Sequence, residues 1–137
     1  MRFSDPSSAK LLLAFTLLPS TLAIITGVTA PSTVYAYNPF NVTLTTSNYI
    51  QSVYDVAVAF GVANAPGFPG SLGSVVATAY LGPTKSNVLT PISFSVTLPS
   101  GTGNGPRVLS AEVFSLFGAA YSGVVTTFNT TINVAGF

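Results

Sequence analysis

Apolar side chains recur at every second position along most of this chain, a period that favours β-strands over helices. The alternation is clearest in residues 92–98 (ISFSVTL) and recurs in residues 40–46 (FNVTLTT). Turn signals rich in Gly, Pro and Asn separate such segments roughly every 8–12 residues. The predicted strands are 24–30, 40–46, 53–62, 74–81, 92–98, 107–117 and 124–134. About seven short strands with this spacing predict an all-β fold, an antiparallel immunoglobulin-like β-sandwich.

The sequence contains no cysteine, so such a sandwich must be held together by packing alone. Tryptophan is also absent, and the Cys–Trp–Cys pin of true immunoglobulin domains is therefore missing. A chain of 137 residues corresponds to one domain. A domain of this size buries roughly two-thirds of its surface, which is enough for one core without disulfides.

The first 23 residues, MRFSDPSSAKLLLAFTLLPSTLA, have the composition of a secretory signal peptide. Arg2 and Lys10 precede a short apolar run, and small residues at Thr21 and Ala23 suit the −3 and −1 positions of a cleavage site. A membrane anchor is disfavoured because the apolar run is too short to span a bilayer. We therefore expect a signal peptide at residues 1–23, one β-sandwich domain at residues 24–137 and a secreted, extracellular protein.

Very little charge remains after residue 23. The remaining charged residues are Asp55, Lys85, Arg107 and Glu112, whose formal charges cancel. Without a basic patch, binding to nucleic acid is not expected, and neither is attachment to anionic lipid. No second apolar segment has the length of a membrane span.

Two Asn-X-Thr sequons are candidate glycosylation sites, at Asn41 and Asn129. Strand alternation places Asn41 opposite the apolar face that includes Val42, and Asn129 opposite the face that includes Phe128. Both asparagines are therefore predicted to point outward, as an attached glycan requires.

Catalytic and metal chemistry have few candidate residues. The absence of His and Cys excludes Ser–His–Asp and Cys–His catalysis and the usual zinc sites. Asp55 and Glu112 are too few for a calcium site, which needs six to eight oxygen ligands. A glycosidase would need them about 5–9.5 Å apart across a sugar bond. We expect them instead to pair with Lys85 and Arg107 or to lie on a solvated sheet face, and we expect no enzyme activity, cofactor or metal.

The most unusual stretch is residues 48–61, NYIQSVYDVAVAFG, in which a polar segment without Gly or Pro leads into a strand. Sandwich folds commonly place recognition on loops between strands. The Asn and Gln amides are expected to hold the loop backbone, as such side chains often do. The partner-binding hypothesis therefore comprises Asn48, Tyr49, Ile50, Gln51, Ser52 and Asp55.

Four segments in order, NYIQSVYDVAVAFG, FPGSLGS, YLGPTKSN and VFSLFGAA, resemble the necrosis-inducing secreted protein family of fungal effectors. The resemblance extends over about residues 24–134. It implies a protein released by a fungus into the host apoplast or host cell. It further implies binding to plant immune receptor-like kinases, notably a shared co-receptor and a downstream cytoplasmic kinase. The implied outcome is suppression of pattern-triggered immunity and, in leaves, cell death.

Three other functions remain open from the residues alone. A glycosylated structural protein of the cell wall would suit the neutral, Thr-rich sequence. A carbohydrate-binding module would stack tyrosine rings on sugars. An enzyme that uses Asp55 and Glu112 is the least favoured of the three. A monomer is expected in each case.

Overall fold

The computed structural model describes residues 22–137, so the predicted signal peptide lies outside the described residues except for Leu22 and Ala23. The described chain is all-β and forms two facing sheets. Its strands are β1 (Ala23–Thr29), β2 (Thr33–Tyr35), β3 (Phe40–Asn48), β4 (Val53–Asn64), β5 (Ser74–Tyr80), β6 (Ile92–Val96), β7 (Gly105–Phe117) and β8 (Ser122–Ala135). The predicted sandwich is confirmed, and the seven predicted strands recur with bounds shifted by a few residues.

One sheet has the order β1-β3-β6 and the other the order β2-β8-β7-β4-β5. All pairs of neighbours are antiparallel except β2, which runs parallel to β8. The sequence did not predict β2 because three residues are too few to show a period. Only Val34 of this strand is buried.

The core lies between the two sheets and is built from alternate residues of the facing strands. Val42 and Leu44 of β3 and Phe60 of β4 are fully enclosed. The rings of Phe60 and Phe94, which belong to opposite sheets, lie 5.4 Å apart at their centroids. Fully burying one such side chain contributes about 1.5–3 kcal/mol. Apolar burial therefore joins the sheets in a domain that has no covalent cross-link.

A β-bulge in β4 determines where the first residues of that strand point. The register with β7 shifts between Asp55 and Ala57, so Val56 is an extra residue on the β4 side. Asp55 and Val58 consequently both face the core, although they are three positions apart. Simple alternation would have placed Asp55 on the outer face together with Ala57.

We expect Phe60→Ala to lower the free energy of unfolding by about 3–5 kcal/mol, because the cavity it leaves is surrounded by fixed strands. Phe68→Ala is the matched control, since Phe68 is 81% exposed. The control should change the free energy by no more than about 0.5 kcal/mol. Chemical denaturation of both variants measures the difference. Equal losses would contradict the assignment of Phe60 to the core.

Candidate functional site

The polar segment singled out in the sequence forms a loop, residues 49–52, between β3 and β4, and we call it the tip loop. Backbone hydrogen bonds to both neighbouring segments hold it. The Tyr49 N–H donates to the Leu22 carbonyl at 3.0 Å, and the Gly118 N–H donates to the Ser52 carbonyl at 2.9 Å. Leu22 belongs to the predicted signal peptide, so after cleavage following Ala23 the Gly118 bond is the one of the two that remains.

The side chains of the tip loop differ in exposure. The Tyr49 ring packs edge-on against Phe117, with centroids 6.1 Å apart, and is half-buried. Ile50 is 88% exposed, and Asn48 and Gln51 are also exposed. The predicted role of the Asn48 and Gln51 amides in holding the loop backbone stays a prediction. Ile50 has the highest exposed fraction of the large apolar side chains in the described residues.

Asp55 does not share this exposure, because the bulge turns its side chain into the sandwich. It is 2% exposed, and its Oδ1 accepts a hydrogen bond from the Ser115 hydroxyl at 2.6 Å. Its backbone N–H donates to the Ser86 hydroxyl at 2.9 Å. Burial raises the pKa of Asp55, and the hydrogen bond from Ser115 opposes that rise. Asp55 is thus a buried carboxyl group beneath the tip loop and not part of its exposed surface.

The predicted pairing of Asp55 with a cation is wrong. The Arg107 Nε and Nη2 both donate to the Thr102 carbonyl, at 3.0 and 2.8 Å. The Lys85 ammonium lies 5.1 Å from the centroid of the Phe94 ring. Both cations are therefore engaged away from Asp55.

Glu112 lies on the opposite face of the five-stranded sheet from Asp55. Its register partners are Ala59 and Thr127, and its carboxylate accepts a long hydrogen bond from the Thr127 hydroxyl at 3.4 Å. The two carboxylates thus point to opposite sides of the sheet and do not flank a common space.

Four side chains form what we call the outer apolar patch: Tyr54, Tyr80, Phe114 and Val125. Cross-strand pairing brings them together, because Ala57 is opposite both Tyr80 and Phe114, and Phe114 is opposite Val125. Tyr80 is 66% and Val125 60% exposed. The hydroxyls of Tyr54 and Tyr80 are 3.3 Å apart, and this hydrogen bond, with a smaller effect of burial, raises the pKa of Tyr54.

The outer apolar patch lies at the same end of the sandwich as the tip loop. Tyr54 is the second residue of β4, and Tyr121, which is 64% exposed, lies in the β7–β8 turn at this end. Contiguous exposed apolar surface of this kind marks sites of interaction. The tip loop and the patch together form the candidate site.

Sequence reasoning missed Phe114 and Val125, although a signal was present. Phe114 is in phase with Glu112 along β7, and Val125 is in phase with Thr127 along β8. An apolar side chain on a face otherwise marked by polar residues was therefore visible in the alternation.

The opposite half of the outer face is covered by the loop at residues 65–73. Leu72 lies directly on Gly61, where a Cβ would collide with the Leu72 carbonyl oxygen. Only glycine allows this close approach of the loop to the sheet. Phe68 of this loop and Val75 of β5 are nevertheless 81% and 58% exposed, so exposed apolar side chains also occur away from the tip end.

Both sequon asparagines are exposed, Asn41 on β3 and Asn129 on β8. Within residues 22–137 no group of three or more His, Cys, Asp or Glu side chains is arranged to hold a metal ion. No helix in the same range has the length and hydropathy needed to cross a membrane.

The fold has solved counterparts at low sequence identity. A superoxide reductase (neelaredoxin) variant from Ignicoccus hospitalis aligns over 98% of this chain and 100% of its own, with 13% identity and a TM-score of 0.51. Another variant of that protein covers 90% of this chain and 87% of its own at 14% identity, also with a TM-score of 0.51. At this identity the likeness shows the sandwich fold alone.

The chain belongs to the Nis1 family, whose sequence profile matches residues 21–133. It is 43% identical over 113 residues to necrosis-inducing secreted protein 1 of Colletotrichum orbiculare, across 82% of this chain and 70% of that protein. The protein of the same name from Colletotrichum higginsianum is 42% identical over 113 residues, across 82% of this chain and 78% of its own. The family resemblance and the predicted secreted, extracellular location are thereby confirmed.

Replacing Asp55 with Asn should change how the free energy of unfolding depends on pH. The folded state holds the Asp55 proton to higher pH than the unfolded chain, whose Asp titrates near the usual value of 3.8. As pH rises from about 4 through the raised pKa, the unfolded state gains stability from ionisation that the folded state lacks. The wild type should therefore lose stability relative to the variant over this interval.

Unfolding free energies of both proteins at about pH 4 and pH 7 measure this difference. A difference between the two proteins that stays constant with pH would contradict the burial of the carboxyl group.

Proposed function

We propose that this protein is a secreted, non-catalytic effector that acts on plants by protein–protein binding. Its targets are immune receptor-like kinases, its effect is suppression of pattern-triggered immunity, and it is able to provoke cell death. Family membership supports the effector role, because both relatives are named necrosis-inducing secreted proteins. The kinase targets follow from the family resemblance.

The single structural observation that carries the proposal is the apolar surface at the tip end. Ile50 is 88% exposed and lies at the same end of the sandwich as the outer apolar patch. A few residues, most often Trp, Tyr or Arg, supply most of the binding energy in protein interfaces, and the patch contains two tyrosines. Such a surface needs a partner with a complementary apolar groove.

The charge of the domain fits the same mode of binding. Only two cations and two anions occur from residue 24 onward, and Lys85 and Arg107 are held against an aromatic ring and a backbone carbonyl. Electrostatic steering is therefore weak, and the association rate should change little with salt. Affinity must come from apolar contact and backbone hydrogen bonds.

The direct test is a titration of the secreted protein against the purified kinase domain of a plant immune co-receptor. An unrelated plant kinase serves as the specificity control. We expect saturable binding to the first kinase only. Ile50→Asp and Phe114→Asp should each weaken it by about tenfold or more, since a hot-spot residue is worth about 2 kcal/mol or more and about 1.4 kcal/mol is tenfold.

Phe68→Asp is the matched control for both substitutions. Phe68 is 81% exposed but lies in the 65–73 loop, outside the candidate site. Its replacement should leave both affinity and stability unchanged. Equal losses for all three variants, or no binding at about 50 μM by protein shown to be folded, would contradict the proposed mode of action.

A carbohydrate-binding role is the second candidate, and the arrangement of Tyr54, Tyr80 and Phe114 on one sheet face favours it. Aromatic rings on a flat surface are able to stack on sugar rings. Retention on insoluble chitin or cellulose that is lost in Phe114→Ala would favour this role. If neither polymer retains the protein and the kinase domain binds it, the effector role is favoured.

Glycosylation at the two exposed sequons is a separate expectation. Protein secreted from a eukaryotic host should lose mass on treatment with an N-glycosidase. Asn41→Gln and Asn129→Gln should each remove one glycan, because both side chains point to solvent. An unchanged intact mass after glycosidase treatment would show that neither sequon is used.

A further inference from the structure

A cavity of about 230 Å³ lies between the sheets beneath the tip loop. Most of its lining is apolar, and it reaches solvent between β1 and β8, where several of its lining residues are half-exposed. The lining residues are Ile24, Ile25, Asp55, Val113, Ser115, Phe117, Thr126 and Phe128. A dry apolar cavity of about 150 Å³ is large enough to bind benzene. The space is therefore sufficient for a single-ring molecule.

Asp55 is the feature of this cavity that ordinary packing does not explain. The side chain is 2% exposed and lines the cavity, and the hydrogen bond from Ser115 at 2.6 Å engages only Oδ1. A carboxylate buried among apolar side chains is costly unless an opposite charge or several donors accompany it. A Leu or Val would fill this position at no such cost.

The other charged residues of the described chain do not supply the missing partner. Lys85 lies over the Phe94 ring. Arg107, at the end of β7 remote from Ser115, donates hydrogen bonds to the Thr102 carbonyl. Glu112 lies on the outer face of the sheet. A cation that pairs with ionised Asp55 must therefore come from outside these side chains, either as a bound ligand or as the α-ammonium that cleavage after Ala23 creates at Ile24, which also lines the cavity.

We propose that this cavity binds a small apolar amine, whose ammonium group pairs with Asp55 while its hydrocarbon part packs against Val113 and Phe128. The Ser115 hydroxyl holds Oδ1 and leaves Oδ2 to receive the ammonium N–H groups. The open side between β1 and β8 provides the entry path. An alcohol of the same shape fits the same space but brings no charge.

The cavity and the tip loop share a wall. Phe117 lines the cavity and also packs edge-on against Tyr49. An amine seated beside Phe117 therefore restrains the base of the tip loop. This coupling is independent of which partner the tip loop binds.

The test uses isotope-labelled protein purified from culture medium, titrated with benzylamine, benzyl alcohol and benzoate while amide resonances are followed by NMR. Benzylamine should give saturable shifts at Asp55, Ser115, Phe117 and Phe128. Benzyl alcohol should bind about tenfold more weakly, since a hydrogen bond to a charged group is worth more than one between neutral groups. Benzoate should not bind, because its charge repels Asp55.

Two variants make the result specific to this cavity. Asp55→Asn keeps the shape and an acceptor for Ser115, and it should abolish the preference for amine over alcohol. Thr126→Phe fills the cavity from β8, and it should abolish binding of both compounds. Lowering the pH through the pKa of Asp55 should weaken the binding of benzylamine, because protonation removes the negative charge. The binding of benzyl alcohol should not weaken.

The proposal is overturned if benzylamine gives no saturable shifts in the wild type, or if Asp55→Asn binds it as tightly as the wild type does. Shifts confined to the outer apolar patch would also overturn it. Melting curves of both variants establish that they are folded before the comparison is made.

Discussion

Apolar contact between two facing sheets is the interaction on which everything else in this protein depends. No disulfide closes the sandwich, and the strands remain together because side chains such as Phe60 and Leu44 are fully removed from water. The Phe60–Phe94 contact ties the two sheets near their centre. Many outer positions of the strands are Thr or Ser, although Tyr37, Phe68 and Val75 are also exposed away from the tip end.

Much of this fold was predictable from the sequence because side-chain period is a direct consequence of strand geometry. The seven longer strands, the sheet class and the outward direction of Asn41 and Asn129 all follow from alternation. The β2 strand was not predictable, because its pairing with β8 is made by three residues whose order carries no period. Its position depends on the completed sheet.

The burial of Asp55 was also beyond the sequence, for a different reason. The bulge in β4 adds one residue, and no glycine in the sequence marks its position. The alternation of inward and outward side chains therefore shifts at Val56. Residues before the bulge therefore point to the face opposite the one that alternation predicts. In β7 the alternation is regular, so the sequence alone places Phe114 on the same face as Glu112. The candidate site was thus partly predictable: its loop was identified, Phe114 and Val125 of its patch were missed, and Asp55, a proposed member, lies inside.

The structure connects family membership to a physical mode of action. The proposed mode of action of this nearly neutral domain is apolar contact. The surface proposed for that contact comprises the tip loop and the outer apolar patch. The buried carboxyl group beneath the loop adds an internal site that is chemically distinct from this surface.

The most direct test of this account is a hydrogen–deuterium exchange footprint of the protein mixed with the proposed partner, the kinase domain of a plant immune co-receptor. The account predicts slower exchange in the tip loop at residues 49–52, in the adjoining start of β4 and in the β7–β8 turn, with the 65–73 loop unchanged. Protection confined to the 65–73 loop and the opposite end of the sandwich would contradict it.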